Sequence, residues 1–328
     1  MAQGIHFAVG AAIFGELEES DIALTAAFGF PGIEPYRSLS GRWLDRPQEL
    51  KAVLDRHGVT LITCSNGGAG QSTDFIDPAA RRQTIDDHVA FCRDFLSVFG
   101  CRWFKINMGR RPPEGTTPDQ IERIADTINE LGRRTREMGV TIAPHPHIWG
   151  PIERPEEVRR LLDLTDPAVV GWIPDTAQLN LGGGDPLELI RDYYDRLAAL
   201  HWKDSSAAYR GFTGPTPTQE MHRREILYKD LGAGGVDHPG IWRLLLERGY
   251  QGWISLDLDP PRPAEGEGTP EDKLGINHRY LVETLRVGTL CGAGGPAAAG
   301  AGGRRPPRPE AGGRRPEARG RAASRRAS

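Results

Sequence analysis

Short apolar runs recur along the first 290 or so residues, and most are followed by a longer stretch in which apolar residues return every three or four positions. The runs are GIHFAVG (4–10), FGFPGIE (28–34), VTLITCS (59–65), CRWFKIN (101–107), VTIAPHPH (140–147), VVGWIPD (169–175), LAALHWKD (197–204) and GWISLDLD (252–259). Between them lie RPQELKAVLDRHG, ARRQTIDDHVAFCRDFLSVFG, TPDQIERIADTINELGRRTREMG, RPEEVRRLLDLT, DPLELIRDYYDR and HPGIWRLLLERG, and a last helical stretch covers 270–287. Apolar runs of this length predict buried strands, and i, i+3, i+4, i+7 spacing predicts amphipathic helices, several with glycine where a C-cap belongs.

Strands alternating with helices predict a parallel sheet, because each crossover helix carries the chain back to start the next strand. Eight such units in this length predict an α/β fold of the (β/α)8 TIM-barrel type, one domain over 1–289. No GxGxxG or GxxxxGK[ST] stands in the chain, which removes the nucleotide-binding signature of open α/β sheets. In a barrel the C-terminal ends of all eight strands meet on one face, where active sites are built.

Side chains alternate along a strand, so parity sorts the residues at those ends. His201 and Lys203 share one face of the seventh run; Asp257 and Asp259 share one face of the eighth, with Ser255. His145 and His147 align in the fifth, Asp175 ends the sixth, Glu34 ends the second, and Glu153 follows in the loop after the fifth. Taken singly, each has a plainer reading: Asp175 as the N-cap of DTAQL, His201 as a hydrogen-bonded structural histidine, Asp257 as an ion-pair partner, Glu34 as a substrate contact or a structural ion pair. Trp149 and Trp202 read as pocket walls or core. Carboxylates and imidazoles gathered in one barrel mouth repel or lose solvation unless a cation neutralises them, and a mixed O/N donor set suits Mn²⁺, Co²⁺, Fe²⁺ or Zn²⁺ better than Ca²⁺.

Composition changes the picture only at the C-terminus. Residues 290–328 are an Arg/Gly/Ala/Pro-rich tail with almost nothing to bury, predicted disordered. The tail's nine arginines against two glutamates leave about −10 on the barrel, since the whole chain is −3. An acidic barrel argues against specific nucleic-acid binding, which needs clustered lysine and arginine. Cys64, Cys92, Cys101 and Cys291 form no CxxC pair, and three of them sit among apolar neighbours and read as reduced core thiols. With no basic segment before the first apolar run and no span of ~20 apolar residues, a cytoplasmic protein without membrane contact is expected.

The stretch APHPHIWGPIERPEEVRRLLDLTDPAVVGWIPDTAQLNLGGGDPLELIRDYYDRLAALHWKD, with the later LGAGGVD and GYQGWISLDLD, resembles the xylose isomerase-like sugar isomerase/epimerase superfamily, and within it the inosose dehydratase type. The likeness runs over roughly 4–288 and is strongest from 140 to 260. It implies one divalent metal, Mn²⁺ or Co²⁺ first, with Zn²⁺, Fe²⁺ and Mg²⁺ also compatible. Asp175 and His201 fall on ligand positions, and Asp257 falls where the family usually has Glu. The strand-five ligand is usually Glu; His145 stands there, and Glu153 is the candidate for the missing carboxylate. Gln178 stands where the family motif has His. The implied metal set is Glu153, Asp175, His201 and Asp257. Glu153 or His145, with Asp257 and Lys203, would move protons or stabilise charge, and Glu34, His147, Gln178 and Lys203 would hold substrate.

The resemblance implies abstraction of the proton next to a ketone of a keto-sugar or cyclitol, through a metal-stabilised enediolate that then isomerises, epimerises or loses a β-hydroxyl. A homo-oligomer is compatible with this reading. Endonucleases acting at abasic sites share the barrel but need more ligands and a basic groove. The remaining alternative is a non-catalytic barrel that binds a sugar or a partner, its ligands drifted.

Overall fold

A computed structural model describes residues 4–67, 74–263 and 266–288. The tail from 290 and Cys291 lie outside the described residues. The strands are β1 (Ile5–Gly10), β2 (Gly32–Glu34), β3 (Thr60–Leu61), β4 (Trp103–Ile106), β5 (Thr141–Pro144), β6 (Leu200–Trp202), β7 (Asp204–Ser205), β8 (Tyr228–Lys229) and β9 (Gly252–Leu256). Five pair in parallel in the order β3-β2-β1-β9-β6, and β4 pairs in parallel with β5.

Single contacts complete the ring. The Asn66 N–H donates to the Lys105 carbonyl at 3.2 Å, joining the end of β3 to β4. On the other side the segment 169–175 lies between β5 and β6, through bridges Ile142–Val170, Trp172–Leu197 and Asp175–His201. The predicted (β/α)8 barrel is therefore present, with its sixth position held by an extended segment rather than a regular strand. Pro174 has no N–H to give a ladder, and only its carbonyl pairs, accepting from His201 N–H at 2.8 Å.

The predicted seventh strand, 197–204, is also shorter than expected. It leaves the barrel after Trp202, and Asp204–Ser205 turns into an antiparallel pair with Tyr228–Lys229. Alternation survives these changes. Ala143, Ile173 and Ala199 form a layer inside the barrel with Trp103 and Trp253. Trp202 points outward, its ring 5.8 Å from Phe7 and 6.1 Å from Trp242, so it is core and not pocket wall.

The helices follow the spacing read from sequence: Pro47–His57, Arg81–Asp94, Pro118–Arg136, Pro155–Leu164, Pro186–Asp192, His238–Glu247 and Pro270–Arg279. Local chemistry sets their starts. Thr117 caps Pro118–Arg136, accepting from the Gln120 N–H while the Gln120 side chain accepts from the Thr117 N–H, with proline in the first turn where its missing N–H costs nothing. Helices Glu19–Ala27, Thr176–Leu181 and Gln219–Glu225 had too little apolar periodicity to be read. Cys64, Cys92 and Cys101 are buried free thiols, and burial pushes the Cys92 thiol up to about 12. Among the described residues no helix is long and apolar enough to cross a membrane.

Two expectations follow. A Cβ at Gly132, inside Pro118–Arg136, would lie 2.8 Å from the Val169 carbonyl oxygen. Gly→Ala in a helix usually gains up to about 1 kcal/mol, but Gly132→Ala should instead lose about 1–3 kcal/mol, read from urea unfolding. His88 is buried, its Nδ1–H donating to Thr84 O at 2.7 Å and its Nε2 accepting from Asn66 Nδ2 at 2.8 Å, and burial lowers its pKa to about 4. The unfolded chain takes up a proton below about 6.5 that the folded one refuses, so stability falls as pH drops from there toward about 4. His88→Gln should lose roughly 2 kcal/mol less than the parent between neutrality and about pH 5, seen in parallel unfolding curves.

Candidate metal centre

At the C-terminal end of the barrel, one donor atom from each of His145, Asp175, His201 and Asp257 lies within 4.8 Å of the others, and all four residues are buried. They come from the ends of β5, the 169–175 segment, β6 and β9. Alternation along each strand turns them inward to one place, and the parallel ring brings the ends together.

Asp175 combines both of its alternative readings. Its Oδ1 caps Thr176–Leu181, accepting at 2.9 Å from the N–H groups of Ala177 and Gln178. Its Oδ2 is buried with no hydrogen-bond partner among the described residues, 3.9 Å from His201 Nδ1. Burial, then the nearby Asp257 carboxylate, raises its pKa to about 6.

His201 is held from both sides. Its Nε2 lies 2.9 Å from each oxygen of Glu34, and its Nδ1 3.2 Å from Asp257 Oδ2. Burial works against charge on this ring, yet Glu34 and Asp257 raise its pKa overall. Glu34 is lowered to about 2: burial opposes the charge, but His201 and Lys105 outweigh it. A carboxylate on one nitrogen of an imidazole, leaving the other to face the donor group, is the usual way a ligating histidine is oriented. Of the two readings for Glu34, then, the ion pair is the one in place. Burial lowers the pKa of His145 well below the usual histidine value. The ring is therefore neutral at pH 7; its Nδ1 faces the Ile173 carbonyl at 3.3 Å.

The donor set fits a divalent cation. Two imidazoles and two carboxylates are the mixed N/O set that first-row divalent ions accept, and the orphaned Asp175 Oδ2 is a buried acceptor that a cation would satisfy.

Other residues singled out from sequence sit differently. Glu153 lies outside the group. Its Oε1 is 3.1 Å from Arg111 Nε, and its Oε2 accepts from the Trp149 N–H at 2.8 Å. Of the two strand-five candidates, the structure brings His145 into the group, while Glu153 is paired with Arg111. Gln178 is also committed elsewhere. Its Oε1 accepts from Ile148 N–H and the Tyr228 hydroxyl, which ties the loop after β5 to β8. Lys203 Nζ is 2.6 Å from Asp259 and 3.9 Å from Asp257, and lies 4.1 Å from the Tyr228 ring centre. Despite burial, those carboxylates raise its pKa, so it stays charged. Burial also opposes charge on Asp257, but Lys203 and His201 hold its pKa well below the usual value.

Two residues were missed. Lys105, fully buried on β4, sits 3.0 Å from Glu34 and 3.4 Å from the Tyr36 hydroxyl, and that hydroxyl donates to Asp257 Oδ1 at 3.3 Å. The signal was present: a lysine between Phe104 and Ile106, inside an apolar run, cannot reach solvent and must meet an anion. A cleft of about 260 Å³ opens beside the group, with His145, Tyr36, Asn107, His147, Trp149 and Gln219 on its walls. His147 is neutral, since burial lowers its pKa to about 4, and its Nδ1–H donates to the Ile148 carbonyl.

A family model described as a xylose isomerase-like TIM barrel matches residues 22–280. An inosose dehydratase of Lacticaseibacillus casei is 32% identical over 218 residues, 60% of this chain and 69% of that protein. Among solved structures, the IolI protein with a bound zinc atom superposes with a TM-score of 0.69 at 16% identity, covering 85% of this chain and 98% of that one. A D-psicose 3-epimerase with D-tagatose from Clostridium cellulolyticum H10 gives 0.67 at 17% identity, covering 87% and 99%. At these identities the two structures show a shared fold.

Lys105→Met should cost about 1.5–3 kcal/mol, because it leaves the buried Glu34 carboxylate with His201 as its remaining partner. The double variant Lys105→Met/Glu34→Gln should recover part of that loss, a comparison read from denaturant midpoints.

Proposed function

This chain belongs to the xylose isomerase-like TIM-barrel family, and from that premise we propose that it is a divalent-metal-dependent enzyme acting on a polyhydroxy ketone, with loss of water as the outcome. The observation that carries the proposal is the buried group of His145, Asp175, His201 and Asp257, in which Asp175 Oδ2 has no hydrogen-bond partner among the described residues and His145 lines an open cleft. Dehydration is favoured over epimerisation because an inosose dehydratase of L. casei is 32% identical to this chain over 218 residues.

His145, Asp175, His201 and Asp257 would hold the ion, and His201 gives up its Nδ1 proton to do so while Glu34 keeps the ring turned. When bound, the ion supplies a Lewis acid for a ketone and an adjacent hydroxyl, which acidifies the proton between them. Mn²⁺, Co²⁺, Zn²⁺ or Fe²⁺ suits two imidazoles better than Mg²⁺ does. The chain's own part is to orient the ketone and move protons. Nε2 of His147 is the cleft-wall atom that can take one and the Tyr36 hydroxyl, held protonated by burial and the nearby carboxylates, is the one that can give one. Lys203, bound to Asp259, holds the Asp257 side of the site.

The test is incubation of Mn²⁺- or Co²⁺-loaded protein with inososes and ketohexoses in D₂O. Deuterium should enter the carbon next to the ketone, and an unsaturated or deoxygenated product should form with the inosose. Asp175→Ala and His201→Ala should each retain a folded circular-dichroism spectrum, lose bound metal, and lower exchange by on the order of a thousandfold. Undiminished exchange in metal-free Asp175→Ala would sink the proposal. Tight ketone binding with metal retained and no exchange would leave a sugar-binding barrel.

A further inference from the structure

We propose that the cleft selects an uncharged polyhydroxy ketone whose C–H face lies on the indole of Trp149, and that Glu153 is the positioning residue holding that indole in place. This rests on the reading of the site given above, and goes further by naming the charge of the substrate and the surface it meets.

The first argument is charge. The cleft walls carry a phenol, a carboxamide on Asn107 and another on Gln219, two imidazoles and an indole, and among the described residues no lysine or arginine lines them. Four cations of the surrounding elements are already committed. Lys105 is paired with Glu34, Lys203 with Asp259, and Arg111 with both Glu153 and Glu157, while the Arg154 guanidinium donates to the carbonyls of Gly182 and Gly214. A phosphate or carboxylate entering this space would lose its hydration and gain no cation from these residues, with Asp257 close by. Hydroxyl groups meet what they need, since neutral amides, imidazole and phenol each donate or accept.

The second argument is the backbone of Trp149. Its φ is +67°, in the left-handed region that a bulky side chain rarely adopts. Strain of this kind persists only where the surroundings over-determine it, and it gathers where a side chain must be aimed. Here the surroundings do so from both ends. The Trp149 N–H donates to Glu153 Oε2 at 2.8 Å, and its carbonyl accepts from the Arg111 N–H at 2.8 Å. The Arg111 side chain closes the loop onto Glu153 and takes Glu157 through both terminal nitrogens. The indole Nε1–H donates to the Pro217 carbonyl at 2.7 Å, and the rings of His147 and His222 lie 5.9 and 5.8 Å away. The result is a fixed aromatic surface on the wall of the cleft, suited to the apolar C–H face of a polyol ring.

The experiment compares the parent with Trp149→Ala, Trp149→Phe, Glu153→Ala and Glu153→Gln in metal-loaded protein. Two readouts are used: solvent exchange against concentration of a neutral inosose, and calorimetric binding of that inosose and of its monophosphate ester. Trp149→Ala should raise the half-saturating concentration on the order of tenfold with a smaller change in maximal rate, and Trp149→Phe should recover part of it. Glu153→Ala should do the same with the indole still present, and change the near-ultraviolet dichroism. Glu153→Gln, which still offers an oxygen to the Trp149 N–H, should recover part of the affinity. Metal content should be unchanged in all four, and the phosphate ester should bind on the order of a hundredfold more weakly than the neutral ketone.

Parent-like affinity in Trp149→Ala, or a phosphate ester bound as well as the neutral ketone, overturns the inference. Failure of the chemistry alone looks different: no exchange occurs, but the calorimetric order of variants and ligands is retained. Binding of neither compound overturns the substrate class and the role of Trp149 together.

Discussion

Three buried carboxylates are packed around the imidazole of His201, and the rest of the barrel mouth is arranged to make that tolerable. Glu34 and Asp257 flank the ring, Asp175 lies beside it, and Lys105 and Lys203 stand behind the two outer carboxylates. Burying such charges singly costs several kcal/mol each, so each has an opposite charge or a hydrogen-bond donor within reach. One oxygen of Asp175 has no hydrogen-bond partner among the described residues, and it is the acceptor that a cation would satisfy. A fully satisfied network would be only a structural core.

The neighbouring loop obeys the same rule with a different outcome. Glu153 and Glu157 bring two carboxylates together, and Arg111 settles both with one planar guanidinium, which leaves them no capacity for a cation. The energy of that arrangement goes into fixing the backbone at Trp149. Two acidic clusters thus lie at the same end of the barrel, one with a donor set that fits an ion and the other paired with an arginine. Which is which depends on where the arginine reaches.

The barrel supplies the geometry both clusters need. A small layer of Ala143, Ile173 and Ala199 lets the strands converge below the site, while Trp172 and Trp202 fill the space between sheet and helices. Breaks in the regular ladder sit next to the chemistry. Pro174 interrupts pairing one residue before Asp175, and the helix that Asp175 caps begins at once. The chain can then present one carboxylate oxygen to the helix and the other to the ring of His201.

Much of this was legible along the chain. Alternating apolar runs and helical spacing specify the barrel, because burial on both faces of a parallel sheet forces that pattern, and parity specifies that His145, His201 and Asp257 turn inward. Their convergence with Asp175 follows from topology, since parallel strands end on one face. Three things were decided only in three dimensions: that Arg111, about 40 residues upstream, pairs with Glu153; that Glu34 pairs with His201; and that Lys105 and Tyr36 stand beside the group at all. The physical reason is common to all three. Periodicity reports which way a side chain points, whereas a charge is assigned by whichever opposite charge lies within about 4 Å, and that distance is set by packing between segments far apart in sequence.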